Sequence, residues 1–218
     1  MALNARPFAL VAGSGGVLGE ALLQEFGGAG YTVAGLRRTD CNLADAAATA
    51  EALARQVARH GPVDVLLYNA GHLAIAPFLA LEPAAFEACV QAGPLGAANC
   101  ARAVLPAMLA RGAGSIVFTG ATASLRGSAH FAAMAAGKAG LRGLAQALAR
   151  EYQPQGIHVA HVVLDGLLGG SASVLKFGKP GGPVMAPRRV AAAYRALVEQ
   201  PADCWAHEID LRPAGEKF

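Results

Sequence analysis

Paired cysteines, clustered cations and membrane-length apolar runs are all missing from this sequence, and each absence removes a class of function. The cysteines, Cys41, Cys89, Cys100 and Cys204, are scattered, with no CxxC pair and no histidine at ligand spacing. Reduced, non-catalytic thiols and no metal are therefore expected. Lysine and arginine form no run and the formal net charge is +3, so the cation clusters that bind phosphate backbones are lacking and no nucleic-acid partner is expected. Hydrophobic residues make up 54% of the chain and charged ones 15%. Even so, the longest apolar runs stay well short of the ~20 residues that span a bilayer, and no membrane partner is expected. The opening MALNARPFALVAG passes directly into a strand-like run and a glycine-rich turn. It shows no separate cationic region, apolar stretch and cleavage site, so a cytoplasmic address is the expectation. No repeat, charge block or low-complexity linker interrupts the 218 residues, which argues for one domain over 1–218.

What the chain does contain is a regular alternation. Runs rich in Val, Ile and Leu mark strands at Phe8 to Ala12, Thr32 to Leu36, Val63 to Tyr68, Ser115 to Thr119, His158 to Val163 and His207 to Leu211. Ala-rich stretches of helical spacing lie between them, at Leu18 to Phe26, Ala44 to Arg59, Ala84 to Leu109, Phe131 to Tyr152 and Pro187 to Glu199. Strand and helix in turn predict an α/β fold, a Rossmann-like doubly wound parallel sheet of about six strands with helices on both faces. The segment Gly169 to Met185 breaks the rhythm with five Gly and two Pro and reads as a long mobile loop over 169–185.

After the first strand comes AGSGGVLGEALL, in which Gly13, Ser14, Gly15, Val17, Leu18 and Gly19 lead into a helix. Glycines at such a turn let backbone amides and the helix N-terminus approach a pyrophosphate. A plain strand-to-helix connection is the simpler reading of the same residues. At the end of the second strand, where an acidic side chain would bond an adenosine ribose, Arg37 and Arg38 stand instead. Two guanidinium groups suit a 2′-phosphate and point to NADP. NAD stays open, because Asp40 is close enough to serve as a ribose ligand and the arginines read equally as solvated surface groups.

From Ala9 to Leu211 the chain resembles the short-chain dehydrogenase/reductase family. LLYNAG, ending in Asn69, Ala70 and Gly71, looks like the family's Asn-Asn-Ala-Gly signature, with Tyr68 at the first Asn. GSIVFTGATASLRG resembles the next strand and its active-site turn, and KAGLRGLAQALARE the helix that carries the family's lysine, here Lys138. GIHVAHVVLDG resembles the following strand, with Asp165 where Pro is usual. The resemblance assigns Lys138 to the nicotinamide ribose and implies that Asn42 stands in place of an adenine-contacting Asp. Only Thr39, Asp40 and Cys41 separate the arginines from NLAD, where the family has a further helix and strand. A trimmed sheet in the order 2-1-3-4-5-6 follows.

The departures fall on the chemistry. Met134 occupies the position of the family's tyrosine acid, Ala121 that of its serine and Gly93 that of its asparagine. A thioether cannot exchange a proton with a carbonyl or an alcohol. His130, one helical turn before Met134, is a candidate replacement acid, with His72 and Tyr68 behind it. Thr122 and Ser124 adjoin Ala121, but the turn is expected to direct them elsewhere. The expectation is an NADP(H)-linked oxidoreductase of a small carbonyl or alcohol with an altered proton donor. The alternatives are a catalytically silent dinucleotide-binding protein, as sensor or non-catalytic subunit, and an enzyme of another reaction type. Small residues along Ala97 to Leu109 and Phe131 to Tyr152 suggest close packing between copies, hence a homodimer or homotetramer, and Trp205 reads as a packing anchor.

Overall fold

Phe8–Ala12, FALVA, is buried along its whole length and forms β1. An uninterrupted apolar run of this kind suits a strand covered on both faces, in the interior of a parallel sheet. The computed structural model describes residues 6–215. β1 pairs in parallel with β2 (Thr32–Leu36) and β3 (Val65–Tyr68). β4 (Gly114–Thr119), β5 (Ile157–Leu164) and β6 (Glu208–Leu211) extend the sheet, giving the six-strand order β2-β1-β3-β4-β5-β6. The expected doubly wound sheet and its trimmed order are both present, and β2 forms the edge that a further strand would cover.

The helices are α1 (Val17–Gly28), α2 (Ala46–His60), α3 (Pro83–Val90), α4 (Gly96–Arg111), α5 (Ala132–Tyr152), α6 (Ala172–Phe177) and α7 (Pro187–Val198). The twofold side-chain alternation of strands sorts them onto two faces. Leu10, Leu66, Ile116 and Val159 pack with residues of α2, α4 and α5, whereas Val11, Leu67, Val117 and Val162 pack with α1 and α7. Each fully buried Leu or Ile contributes on the order of 2 kcal/mol by its removal from water. Because every strand runs the same way, all of their C-terminal ends meet along one edge, where ligands of such sheets collect.

Three expectations need correction. The third strand starts at Val65 rather than Val63, because the carboxylate of Asp64 turns back to accept the Phe8 N–H at 2.7 Å. The single helix expected over Ala84 to Leu109 is divided by a π-type stretch, Gln91–Leu95, in which Gly93 leaves helical geometry (φ −85°, ψ −111°) ahead of Pro94. Proline has no N–H and its ring clashes with the preceding turn, so the helix is interrupted there. The break lets α3 meet α5 closely: a Cβ on Gly93 would lie 2.7 Å from the Gly137 carbonyl, and one on Gly137 would lie 2.4 Å from that of Cys89. Thirdly, 169–185 is not irregular throughout. It carries α6, and its ends are tied by Gly169 N–H to Met185 O at 2.9 Å and Met185 N–H to Leu167 O at 2.8 Å.

A polar network clamps the far side of the sheet. Arg142 on α5 donates twice to Glu208 on β6, at 2.7 and 2.8 Å, and the same carboxylate lies 2.9 Å from Nδ1 of the buried His161 on β5. The hydrogen bonds from Arg142 hold the Glu208 carboxyl down at about 2. Burial pushes the imidazoles of His161 and His158 below their ordinary value, and His158 stacks on Trp205 with ring centroids 4.9 Å apart. Trp205 thus packs as the sequence suggested.

The acid sensitivity of the fold follows with a definite sign. The unfolded histidines take up protons near 6.5 that the folded ones refuse, so stability falls as the pH drops below that value. A second loss follows as the pH falls from the ordinary carboxyl value of 4.5 towards about 2 and Glu208 is forced to protonate. Thermal unfolding followed by circular dichroism from about pH 8 to about pH 3 should show the melting temperature falling in both windows. A flat profile contradicts this account.

Candidate functional site

The glycine turn is built by backbone contacts that leave no room for a side chain at Gly13 or Gly19. Gly13 adopts φ 92°, a left-handed conformation, and its N–H donates to Leu36 O at 2.8 Å. Asn69 locks the other side: its N–H reaches Ala12 O at 2.7 Å and its Nδ2 reaches Gly13 O at 2.9 Å. A Cβ on Gly13 would lie 2.4 Å from the Ala70 nitrogen. The turn then delivers the chain into α1 at Gly16, an N-cap without any side-chain hydrogen bond. The first amides of α1 are left for another acceptor, and a Cβ on Gly16 would meet nothing within 4 Å.

That opening belongs to a cleft of about 540 Å³. Gly13, Gly15 and Gly16 line it from the turn, Asn69, Ala70 and Gly71 from the end of β3, and Arg37, Arg38 and Asn42 from the segment after β2. The rival acid is engaged elsewhere. The Asp40 carboxylate accepts the Arg37 N–H at 2.7 Å and does not line the cleft, whereas both arginines do. Such a cradle, with open amides at one part and guanidinium groups at another, fits the phosphate groups of a dinucleotide.

Ser14, Val17, Leu18 and Gly19, also read from the sequence as cofactor contacts, do not line it. Ser14 is buried against Gly35, Leu18 is a core residue, and Gly19 packs on the Gly13–Ser14 backbone. Val17 faces away towards the loop after β5, with its Cγ1 3.6 Å from a Cβ position on Gly170. Conversely, Cys41, Leu43, Gln91 and Ala92 line the cleft without any motif to announce them. Asn99, an amide in the middle of Ala-rich α4, was a readable signal: its Nδ2 holds the Leu43 and Ala44 carbonyls at 2.9 and 3.1 Å. His72 is exposed on the same cleft, but Tyr68 is spent as an acid. Its buried hydroxyl donates to Ala92 O at 2.8 Å, and burial raises its pKa.

A second cleft, of about 590 Å³, adjoins the first. Lys138 and Met134, one turn apart on α5, share a face and both line it. The Lys138 Nζ donates to Thr119 O at 2.6 Å and lies 3.5 Å from a Cβ position on Gly71, so the ammonium sits where the two clefts meet. Burial lowers its pKa to about 8. Ala121 lines the cleft with only a methyl group, while Ser124 is buried and its hydroxyl accepts the Ala121 N–H at 3.1 Å. His130 is not brought to the site: it is exposed, in a left-handed conformation at φ 71°, and lines neither cleft. Two groups that the sequence did not single out as site residues are there instead. Thr122 donates to Oδ1 of Asp165 at 2.5 Å, and Oδ2 of Asp165 lies 3.2 Å from Arg212. Among the described residues, no group of His, Cys, Asp and Glu is arranged to hold a metal, and no helix is long and apolar enough to cross a membrane.

The parallel sheet, the glycine turn at its C-terminal edge and the twin clefts define a nucleotide-binding α/β protein of the doubly wound class. Comparison with known proteins narrows the class. The profile of the family described as short chain dehydrogenase matches residues 36–172. The 3-oxoacyl-[acyl-carrier-protein] reductase MabA of Mycobacterium tuberculosis is 30% identical over 169 residues, which is 73% of this chain and 68% of that protein. A 2,3-dihydroxy-2,3-dihydro-p-cumate dehydrogenase of Pseudomonas putida is 40% identical over 103 residues, spanning 47% of this chain and 40% of its relative. Among solved structures, a short-chain dehydrogenase from Rhodopseudomonas palustris superposes with a TM-score of 0.82 at 31% identity, covering 95% of this chain and 98% of the other. The chain belongs to the short-chain dehydrogenase/reductase family.

The turn geometry can be tested directly. In Gly13→Ala the new methyl group would meet the Ala70 nitrogen, in a conformation L-residues avoid. The expected cost is about 1–3 kcal/mol of stability in denaturant unfolding, together with weakened dinucleotide binding. Unchanged unfolding and binding in this variant count against the described turn.

Proposed function

We propose that the chain is an NADP(H)-linked oxidoreductase of a small carbonyl or alcohol whose proton donor is not the family's tyrosine. The observation that carries this is the position of the Lys138 ammonium at the junction of the two clefts, donating to Thr119 O and beside Gly71. Bound nicotinamide dinucleotide supplies or accepts the hydride. The chain's own residues do the rest. The amides at Gly15 and Gly16 hold the pyrophosphate, and Arg37 and Arg38 pair with the 2′-phosphate; with NAD these cations would have no such partner. Lys138 holds the nicotinamide ribose and, with methionine at 134, is itself the protic group that serves the substrate oxygen. Its lowered pKa suits proton exchange near neutrality. The small residues along α4 and α5 support a homodimer or homotetramer.

The loss of hydroxyl groups at Met134 and Ala121 and of a side chain at Gly93 favours a second reading, a silent dinucleotide-binding protein. Fluorescence titration addresses the cofactor first. NADPH should bind about ten- to a hundredfold more tightly than NADH, and Arg37→Ala with Arg38→Ala should erase the difference. Equal affinities in the unmodified protein contradict the NADP assignment.

NADPH oxidation is then measured across aldehydes, ketones and quinones. The rate should fall as the pH rises through about 8 and the Lys138 ammonium is lost. Lys138→Met should abolish turnover, and Met134→Tyr should raise it by as much as ~10²- to 10⁴-fold. Tight cofactor binding with no oxidation by any carbonyl identifies the silent protein.

A further inference from the structure

At the end of β5 the chain places Asp165, a carboxylate only 7% exposed, in the wall of the second cleft. Its backbone is fixed, with its N–H donating to Leu211 O at 2.9 Å. Both carboxylate oxygens are engaged. Oδ1 accepts the Thr122 hydroxyl, and Oδ2 faces the Arg212 guanidinium. The same guanidinium also donates to both carboxylate oxygens of Asp210, so its charge is shared between Asp165 and Asp210.

The consequence for Thr122 is chemical. A hydroxyl owns one hydrogen, and that of Thr122 is committed to Asp165. What the Thr122 oxygen offers to the cleft is a lone pair, sharpened by its bond to a carboxylate. Thr122 is therefore an acceptor, whereas a lysine ammonium such as Lys138 only donates. A ligand satisfying both brings a carbonyl or alcohol oxygen to Lys138 and a separate O–H to Thr122. The rest of the lining includes Leu73, Ile75, Phe131, Met134, Leu168 and Phe177, which suits an apolar body.

We propose that Thr122, held as an acceptor by Asp165, selects substrates that carry a hydroxyl besides the reacting carbonyl or alcohol, on an otherwise apolar frame. The proposal rests on the reading of the second cleft as the substrate site. Thr122 is the contacting residue, and Asp165 is a positioning residue that acts through it.

The test compares α-hydroxyacetophenone with α-methoxyacetophenone, which has similar bulk and no O–H to donate. Binding is measured by ligand-observed NMR titration in the presence of NADP⁺, with which a ketone cannot be reduced. The outcome is then independent of turnover. The hydroxy ketone should bind about tenfold more tightly than its methyl ether. Thr122→Val, which leaves the Asp165–Arg212 pair in place, should bring the ratio close to one, and Thr122→Ser should keep it. Asp165→Asn should lower the ratio as well; should that variant not fold, the two Thr122 variants decide the matter.

A ratio near one in the unmodified protein overturns the proposal, and so does a ratio that survives Thr122→Val. A ratio that behaves as expected in a protein with no NADPH oxidation upholds the subsite while the oxidoreductase reading fails. Oxidation of NADPH by both ketones at matching efficiency, with a binding ratio of one, upholds the oxidoreductase reading and removes the subsite.

Discussion

The contact of Gly13 with the Asn69–Ala70 backbone is the constraint on which the rest of the site depends. Two strand exits can approach so closely only where one of them has no side chain, and only if the glycine takes up the left-handed turn that points the following amides outward. The Asn69 side chain then closes the arrangement by bonding the Gly13 carbonyl. Everything on the cleft is positioned relative to this junction: Gly15 and Gly16 beyond the turn, Gly71 beyond Asn69, and the Lys138 ammonium next to Gly71. Because the sheet is parallel throughout, the same edge also receives Gly120, Ala121 and Asp165 from the ends of β4 and β5.

Electrostatics within the second cleft differ from those of a site built round a phenol. Its main donor is an ammonium whose burial makes the charged form costly, so that proton loss becomes accessible near pH 8. In the wall of the same cleft stands the Asp165 carboxylate, one oxygen of which accepts the Thr122 hydroxyl while the other lies beside an Arg212 guanidinium shared with Asp210. The neighbouring Arg142–Glu208–His161 network, partly exposed at Arg142 and Glu208 and buried at His161, ties α5 to the sheet, and with it the height at which Lys138 enters. Catalytic groups need such support because a side chain displaced by about an ångström loses much of its effect.

Much of this was legible beforehand, for reasons particular residues make plain. Strand limits at Phe8–Ala12 and Thr32–Leu36 agree between sequence and structure because FALVA is a continuous apolar run between Pro7 and Gly13, and TVAGL is a short, mostly apolar run that stops at the charged Arg37. The Gly93–Pro94 pair divides the helix read as continuous over Ala84 to Leu109, and a π-type stretch carries the chain on into α4, because the apolar periodicity that suggested one helix runs on through the break. Motif reading gave too much weight to contiguity in the glycine turn: Ser14, Leu18 and Gly19 lie inside it and serve packing, while Gly16 faces the cleft. His130 adjoins the right helix in sequence, yet its backbone turns left-handed before α5 begins and keeps the imidazole out of both clefts.

By itself the sequence determined the fold class, because periodicity and turn residues are properties of the chain read in order; the strand order, and the reading of Met134, Ala121 and Gly93 as replaced catalytic positions, came from its resemblance to a family. Tertiary structure alone decided which groups meet. The pairing of Thr122 with Asp165 spans β4 and β5, and that of Asp165 with Arg212 spans β5 and β6. Hydrogen bonds between such distant residues depend on register and side-chain direction, which no local pattern encodes. The same holds for the depressed pKa of Lys138, since burial is conferred by neighbours brought in from other strands and helices.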